Sequence, residues 1–174
     1  MVAILSIIAA AVIIYLVLQL RAPNDIHRKF GLQPGQWDLI SSDLGKGHPR
    51  KKLSAFGVAG EPDALFRGNS TGQIIVGEYK NRRHAGYVRR REFYQVILCI
   101  GLAREALGAS NVVGVLVFKD ARLQIAHDEE LFRSLLGMRG ECLGSMKQRK
   151  PINDRPLHRR INVRPGSRKI SFPK

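Results

Sequence analysis

Residues 61–80 read EPDALFRGNSTGQIIVGEYK, and the fold turns on how this stretch is paired. Two strand-like runs, DALFR (63–67) and QIIVGEYK (73–80), flank GNSTG (68–72), whose glycines and small polar residues favour a turn. The expectation is a hairpin. Successive side chains of a strand point to opposite faces, so Ile74, Val76, Glu78 and Lys80 share one face and Ile75, Gly77 and Tyr79 the other. Glu78 and Lys80 therefore continue an apolar face. Two charges there are costly unless each other, a metal or a polyanionic ligand compensates them. Asp63 falls on the neighbouring strand, within reach of Glu78. Two close carboxylates repel, and a divalent cation is the usual remedy. The plain alternative is an exposed Glu/Lys pair at the end of an ordinary hairpin, with Asp63 opening a turn.

Working outward, LSAFGVA (53–59) supplies a third strand and completes a meander. Residues 86–108 form the strongest helix: Phe93, Val96, Ile97, Ile100 and Leu107 make one apolar stripe, widened by Leu98, Cys99 and Leu102. A helix that apolar should pack across a sheet and bury Gln95, which then needs a polar partner. VVGVLVF (112–118) and ARLQIAH (121–127) suggest a buried strand returning through Lys119-Asp120, and Asp128 caps a last helix, EELFRSLLGMRG. The fold class expected is α/β: helix, three-stranded meander, helix, strand.

The ends of the chain differ from this core. Residues 2–20, VAILSIIAAAVIIYLVLQL, carry no charge, and a helix of that length spans about 28 Å, close to a bilayer's hydrocarbon thickness. No Lys or Arg precedes the run, which disfavours a cleaved signal peptide. The expectation is one transmembrane helix over residues 1–21. Arg21, Arg28 and Lys29 follow it, which would put the rest on the cytoplasmic side of the cell membrane. Residues 22–52 serve as a linker, with a first helix in NDIHRKF and a basic loop, and 53–145 form the domain. Residues 146–174 form a tail that is expected to be disordered until it binds. From 147 onward it holds ten Lys and Arg against the single acidic residue Asp154.

Over all 174 residues, 29 Lys and Arg face 14 Asp and Glu, a formal charge of +15. Such a balance favours polyanions: nucleic acid, anionic lipid, or both. The two cysteines, Cys99 and Cys142, exclude a disulfide framework and a four-thiolate Fe–S cluster within one chain.

Pro62-Asp63 followed by Glu78-Tyr79-Lys80 resembles the PD-(D/E)XK nuclease superfamily. GEPDALF, GQIIVGEYK and EFYQVILCIGLARE are similar, in order and spacing, to its RecB-like branch, which includes the CRISPR-associated RecB-like exonucleases. VVGVLVFKDARLQIAHDEEL resembles that branch's next hairpin and helix, so the likeness spans about half of the chain, residues 55–140. It implies a restriction-endonuclease-like core. Asp63, Glu78 and the Tyr79 main-chain carbonyl would ligate Mg²⁺ or Mn²⁺, ions suited to hard oxygen donors. Lys80 would orient or help deprotonate the attacking water and offset charge in the transition state, with Gln95 supporting the site. Two features depart from the branch. Cys99 stands where its helix motif commonly has Tyr, and the cluster-binding cysteines are absent, which argues against an adaptation-complex role. Many members also place a His or Glu on the first helix; His27 is the best-placed candidate and His48 the second.

Basic residues flank the hairpin on both sides: Lys46, Arg50, Lys51 and Lys52 before it, Arg82, Arg83, Arg89, Arg90 and Arg91 after it. They are expected to track DNA phosphates, and no base-reading element accompanies them. The resulting expectation is a membrane-anchored, Mg²⁺-dependent deoxyribonuclease of little sequence specificity, its tail able to touch anionic lipid. A non-cleaving DNA tether and a structural membrane protein gripping lipid are the rivals.

Overall fold

The computed structural model describes residues 2–45, 48–161 and 170–172; within its first helix, side chains are described for 6–13, 15 and 25–30. The chain is mixed α/β. Helix α1 (Val2–Phe30) leads into strand β1 (Trp37–Ser42). A separate two-stranded hairpin, β2 (Leu53–Ala55) and β3 (Val58–Gly60), comes next, then β4 (Ala64–Gly68) and β5 (Ile74–Tyr79). Helix α2 (Arg90–Leu107) crosses to β6 (Val112–Val117), which turns back into β7 (Arg122–Ile125). Helices α3 (Glu129–Gly137) and α4 (Arg139–Gln148) follow, with a 3₁₀ turn at Leu157–Arg159.

Five strands form one sheet in the order β1-β4-β5-β6-β7. The β4–β5 hairpin pairs Ala64 with Gly77 and Arg67 with Ile74 across the expected turn. β5 and β6 are parallel, and a parallel pair needs a crossover, which α2 supplies. That connection brings the C-terminal end of β5 and the N-terminus of α2 to the same end of the sheet.

The two faces of β5 behave as their alternation requires. Ile74 and Val76 enter a large core with α2, where Phe93, Val96, Ile97 and Ile100 are buried. Ile75 and Tyr79 enter a smaller core on the other face, with Ile26, Phe30, Phe66 and Val117. Gly77 is small for a reason: a Cβ there would overlap the Phe30 ring. Gly101 and Gly114 are similarly filled, by Phe132 and by Val96 with Ile100.

Several expectations require correction. Among the described residues, no helix is long and apolar enough to cross a membrane. This overturns the transmembrane helix over 1–21 and, with it, the placement as a single-pass protein with its domain on the cytoplasmic side. The apolar run is not a separate anchor. It is the first part of a helix that continues through Pro23 and ends in His27, Arg28 and Lys29, with Ile26 and Phe30 built into the smaller core. Residues 37–42 fall within the expected linker, yet they form edge strand β1, bulged between Leu39 and Ser41 and paired with β4. The third strand of the expected meander stands apart as the β2–β3 hairpin and packs on α2. The basic tail contributes to the core at its described positions: Ile161 and Ile170 are buried, and the Phe172 ring meets Phe93 edge-on at 5.4 Å. Residues 162–169, 173 and 174 lie outside the described residues.

Candidate active site

The site is built where β4 begins and β5 ends. Asp63 immediately precedes β4, and the register places it opposite Glu78. Its carboxylate Oδ2 accepts a 2.6 Å hydrogen bond from the Tyr79 amide. Its own carbonyl accepts from the Ser42 hydroxyl at 2.9 Å and the Asp43 amide at 3.1 Å. The end of β1 thus fixes the backbone of Asp63.

Glu78 is 2% exposed and takes a 2.6 Å ion pair from Lys80 Nζ. The same Nζ donates to Gln95 Oε1 at 3.4 Å, one turn into α2. Burial pushes the Glu78 carboxyl up to about 7, opposed by the Lys80 hydrogen bond and reinforced by Asp63. Asp63 is also raised, first by burial and partly by Asp43, against the pull of the Tyr79 amide and Lys80. The two carboxylates therefore resist ionising together. A cation between them would relieve that cost.

Among the described residues, no group of three or more His, Cys, Asp or Glu side chains is placed to hold a metal. A metal here would rest on Asp63, Glu78, main-chain oxygen such as the Tyr79 carbonyl, and water. That donor set suits Mg²⁺, which keeps several waters and takes one or two carboxylates.

Gln95 is exposed rather than buried, near the N-terminal end of α2 beside exposed Arg91, and it reaches Lys80 from the rim. The Tyr79 side chain points to the opposite face, where Lys29 Nζ sits 5.3 Å from its ring. Cys99, one turn beyond Gln95, is buried, and burial followed by the Glu78 and Asp63 charges pushes its thiol up to about 12. It is an inert core residue.

An open cavity of about 450 Å³ adjoins the site, lined by Lys80, Arg89, Arg91 and Gln95 among others. Arg89 and Arg91 are exposed there, as is Arg83 nearby in the β5–α2 connection. Arg90 packs instead over Phe172, 5.6 Å from the ring centroid. Arg82 and Glu92 also line the cavity, joined in a salt bridge at 2.7 Å. Lys51 and Lys52 are exposed beside the end of β1, where the Lys51 amide donates to Ser41 Oγ at 2.7 Å. Lys46 lies outside the described residues. His27 belongs to the other face of the sheet: its ring is buried, 2.7 Å from the Trp37 carbonyl and edge-on to Phe66. His48 is half-buried in the loop after β1.

Sequence reasoning missed Asp43, which follows β1 and adds negative charge to both site carboxylates. It also missed Glu92. The helix was expected from residue 86 but begins at Arg90, which puts Glu92 in its first turn, where it reaches back to a main-chain amide.

No family model matches the chain, and no curated protein matches it. A solved structure described as the crystal structure of SSO0001 is similar at 16% identity, with a TM-score of 0.43, covering 89% of this chain and 67% of that chain. At that distance the likeness identifies neither a family nor an activity.

Proposed function

We propose that the chain is a metal-dependent nuclease that hydrolyses phosphodiester bonds in DNA with little sequence preference. One observation carries this reading: Asp63, Glu78, Lys80 and Gln95 converge at the C-terminal end of the central strand β5, with both carboxylates desolvated and a lysine between Glu78 and the solvent. Asp63 and Glu78 would hold Mg²⁺ or Mn²⁺, which when bound supplies a water acidified enough to attack at neutral pH and a charge to meet the phosphate. Lys80 is aimed by Glu78 and Gln95, so its ammonium can orient the nucleophile and offset the charge that develops on the phosphoryl oxygens. Exposed Arg83, Arg89 and Arg91 beside the site would track the backbone without reading bases.

The test uses the full chain with linear and circular duplex DNA in Mg²⁺, Mn²⁺ or EDTA, beside Asp63→Ala. Metal-dependent cleavage that Asp63→Ala abolishes is the expected result. Binding of DNA without cleavage in either metal would leave a non-catalytic DNA-binding protein instead.

A further inference from the structure

Arg82 lies two residues beyond Lys80, and Glu92 one helical turn before Gln95. A tight turn joins Lys80 to Arg82, the Arg82 amide donating to the Lys80 carbonyl at 2.7 Å, and residues three apart on a helix share a face. The Lys80–Gln95 and Arg82–Glu92 contacts are two neighbouring rungs between the β5 exit and α2.

The second rung is the more tightly built. Arg82 meets Glu92 with both ends of its fork, Nε to Oε1 at 3.3 Å and Nη2 to Oε2 at 2.7 Å. Only 6% of the Glu92 side chain and 23% of the Arg82 side chain is exposed. Oε2 also accepts from the Arg89 amide at 3.1 Å, which ties the pair to the first turn of α2. The remaining Arg82 nitrogen, Nη1, donates to the Arg83 carbonyl at 3.0 Å, and the guanidinium lies 4.7 Å from the Phe118 ring centroid. The Lys80 amide donates to the Val117 carbonyl at 2.7 Å, and the Arg82 carbonyl accepts from the Lys119 amide at 3.0 Å. Arg82 lines the cavity beside Lys80, but each of its three guanidinium nitrogens already donates to a protein oxygen. Burial works against the Glu92 carboxylate, but Arg82 and the Arg89 amide outweigh it and hold the group below its usual range.

We propose that Arg82 and Glu92 are a positioning pair: they fix the first turn of α2 against the β5 exit and thereby set the contact between Lys80 and Gln95. Arg82 is not a nucleic-acid contact. The catalytic consequence rests on the nuclease reading, whereas the geometric consequence does not. A buried pair that loses one partner leaves an uncompensated group, while replacing both by apolar side chains of similar volume removes the bonds of the pair without leaving a buried charge.

The test compares the labelled full chain with Glu92→Gln, Arg82→Lys and the double variant Arg82→Met/Glu92→Met. Nuclear Overhauser effects between the Lys80 ε-methylene and the Gln95 γ-methylene report the contact without reference to activity. The expected result is their loss in Glu92→Gln and in the double variant, with partial retention in Arg82→Lys. Turnover of linear DNA in Mg²⁺ should fall between about ten-fold and a hundred-fold, the effect of a small misplacement. DNA affinity in EDTA should stay within about two-fold, since no phosphate contact is removed.

Unchanged Overhauser effects would overturn the proposal, as would a loss of DNA affinity with turnover intact. If Glu92→Gln does not fold, the double variant decides by the same criteria. A parent chain that cuts no DNA, with Overhauser effects that behave as expected, would sink the nuclease reading and leave the positioning pair standing.

Discussion

The amide of Tyr79 donates to the carboxylate of Asp63 at 2.6 Å, so the residue beside Glu78 anchors the second acid of the site. The bond is a consequence of hairpin register. Pairing of Ala64 with Gly77 sets Asp63 opposite Glu78 just where the ladder ends, and a main-chain donor there is free to take a side chain. Glu78 is buried and Asp63 half-buried, and burial raises both carboxyls above their usual range.

That arrangement makes stability fall as pH rises. Glu78 moves from 4.5 to about 7 on folding, so between those values the folded chain binds more protons than the unfolded one. Its stabilising contribution is complete below the lower value and lost as pH passes the upper. Glu78→Gln cannot ionise. It should raise the thermal midpoint relative to the parent at about pH 8 and much less at about pH 5. Melts at the two pH values check this, and an equal difference at both would contradict it.

Gly77 is expected to be intolerant for a steric reason. The Phe30 ring occupies the place of a Cβ, so Gly77→Ala should cost about 1–3 kcal/mol in urea unfolding. Phe30→Leu in the same background should recover part of the loss. A Gly77→Ala penalty that is no smaller when combined with Phe30→Leu would show that the ring is not the cause.

Ser171 is bound to the loop that carries Arg83 and Arg89. The Val88 amide donates to the Ser171 carbonyl at 2.9 Å, and Ser171 Oγ donates to the Gly86 carbonyl at 2.6 Å. Deleting residues 170–174 should accelerate hydrogen exchange at the Val88 amide while leaving that of Ile97, in the core of α2, slow. Unchanged exchange at Val88 would mean that the segment does not hold the loop.

Arg91 and Arg82 should separate in a salt titration of DNA affinity. Arg91 is exposed beside the site, so Arg91→Ala should reduce the slope of log affinity against log salt by about one. Arg82→Met/Glu92→Met should leave the slope unchanged, because Arg82 is held by Glu92. Equal reductions in both would return Arg82 to the phosphate contacts.

The β4–β5 hairpin, α2 and the β6–β7 return were legible because period-two and helical patterns are local. That Glu78 and Lys80 share the α2 face of β5 followed from the same alternation. Strand β1 was not legible. WDLISS has no clean alternation, and its Ser41 and Ser42 are buried only because Pro49, Lys51 and Asp63 supply main-chain partners from elsewhere in the chain. The first helix was misjudged because its apolar run is visible in the sequence, whereas the docking of Ile26 and Phe30 on a distant sheet is not. Arg82 was grouped with its basic neighbours because charge is read residue by residue. Its partner Glu92 becomes apparent only once α2 starts at Arg90 and folds back over the β5 exit.

The nuclease reading stands or falls on the single-turnover rate of DNA cleavage in Mg²⁺ for the full chain and for Lys80→Ala, each saturated with DNA. Metal-dependent cutting by the parent is expected, with a rate lower by about a hundred-fold or more in Lys80→Ala and DNA still bound. Equal rates in the two, or no cutting by the parent in any divalent metal, would contradict it.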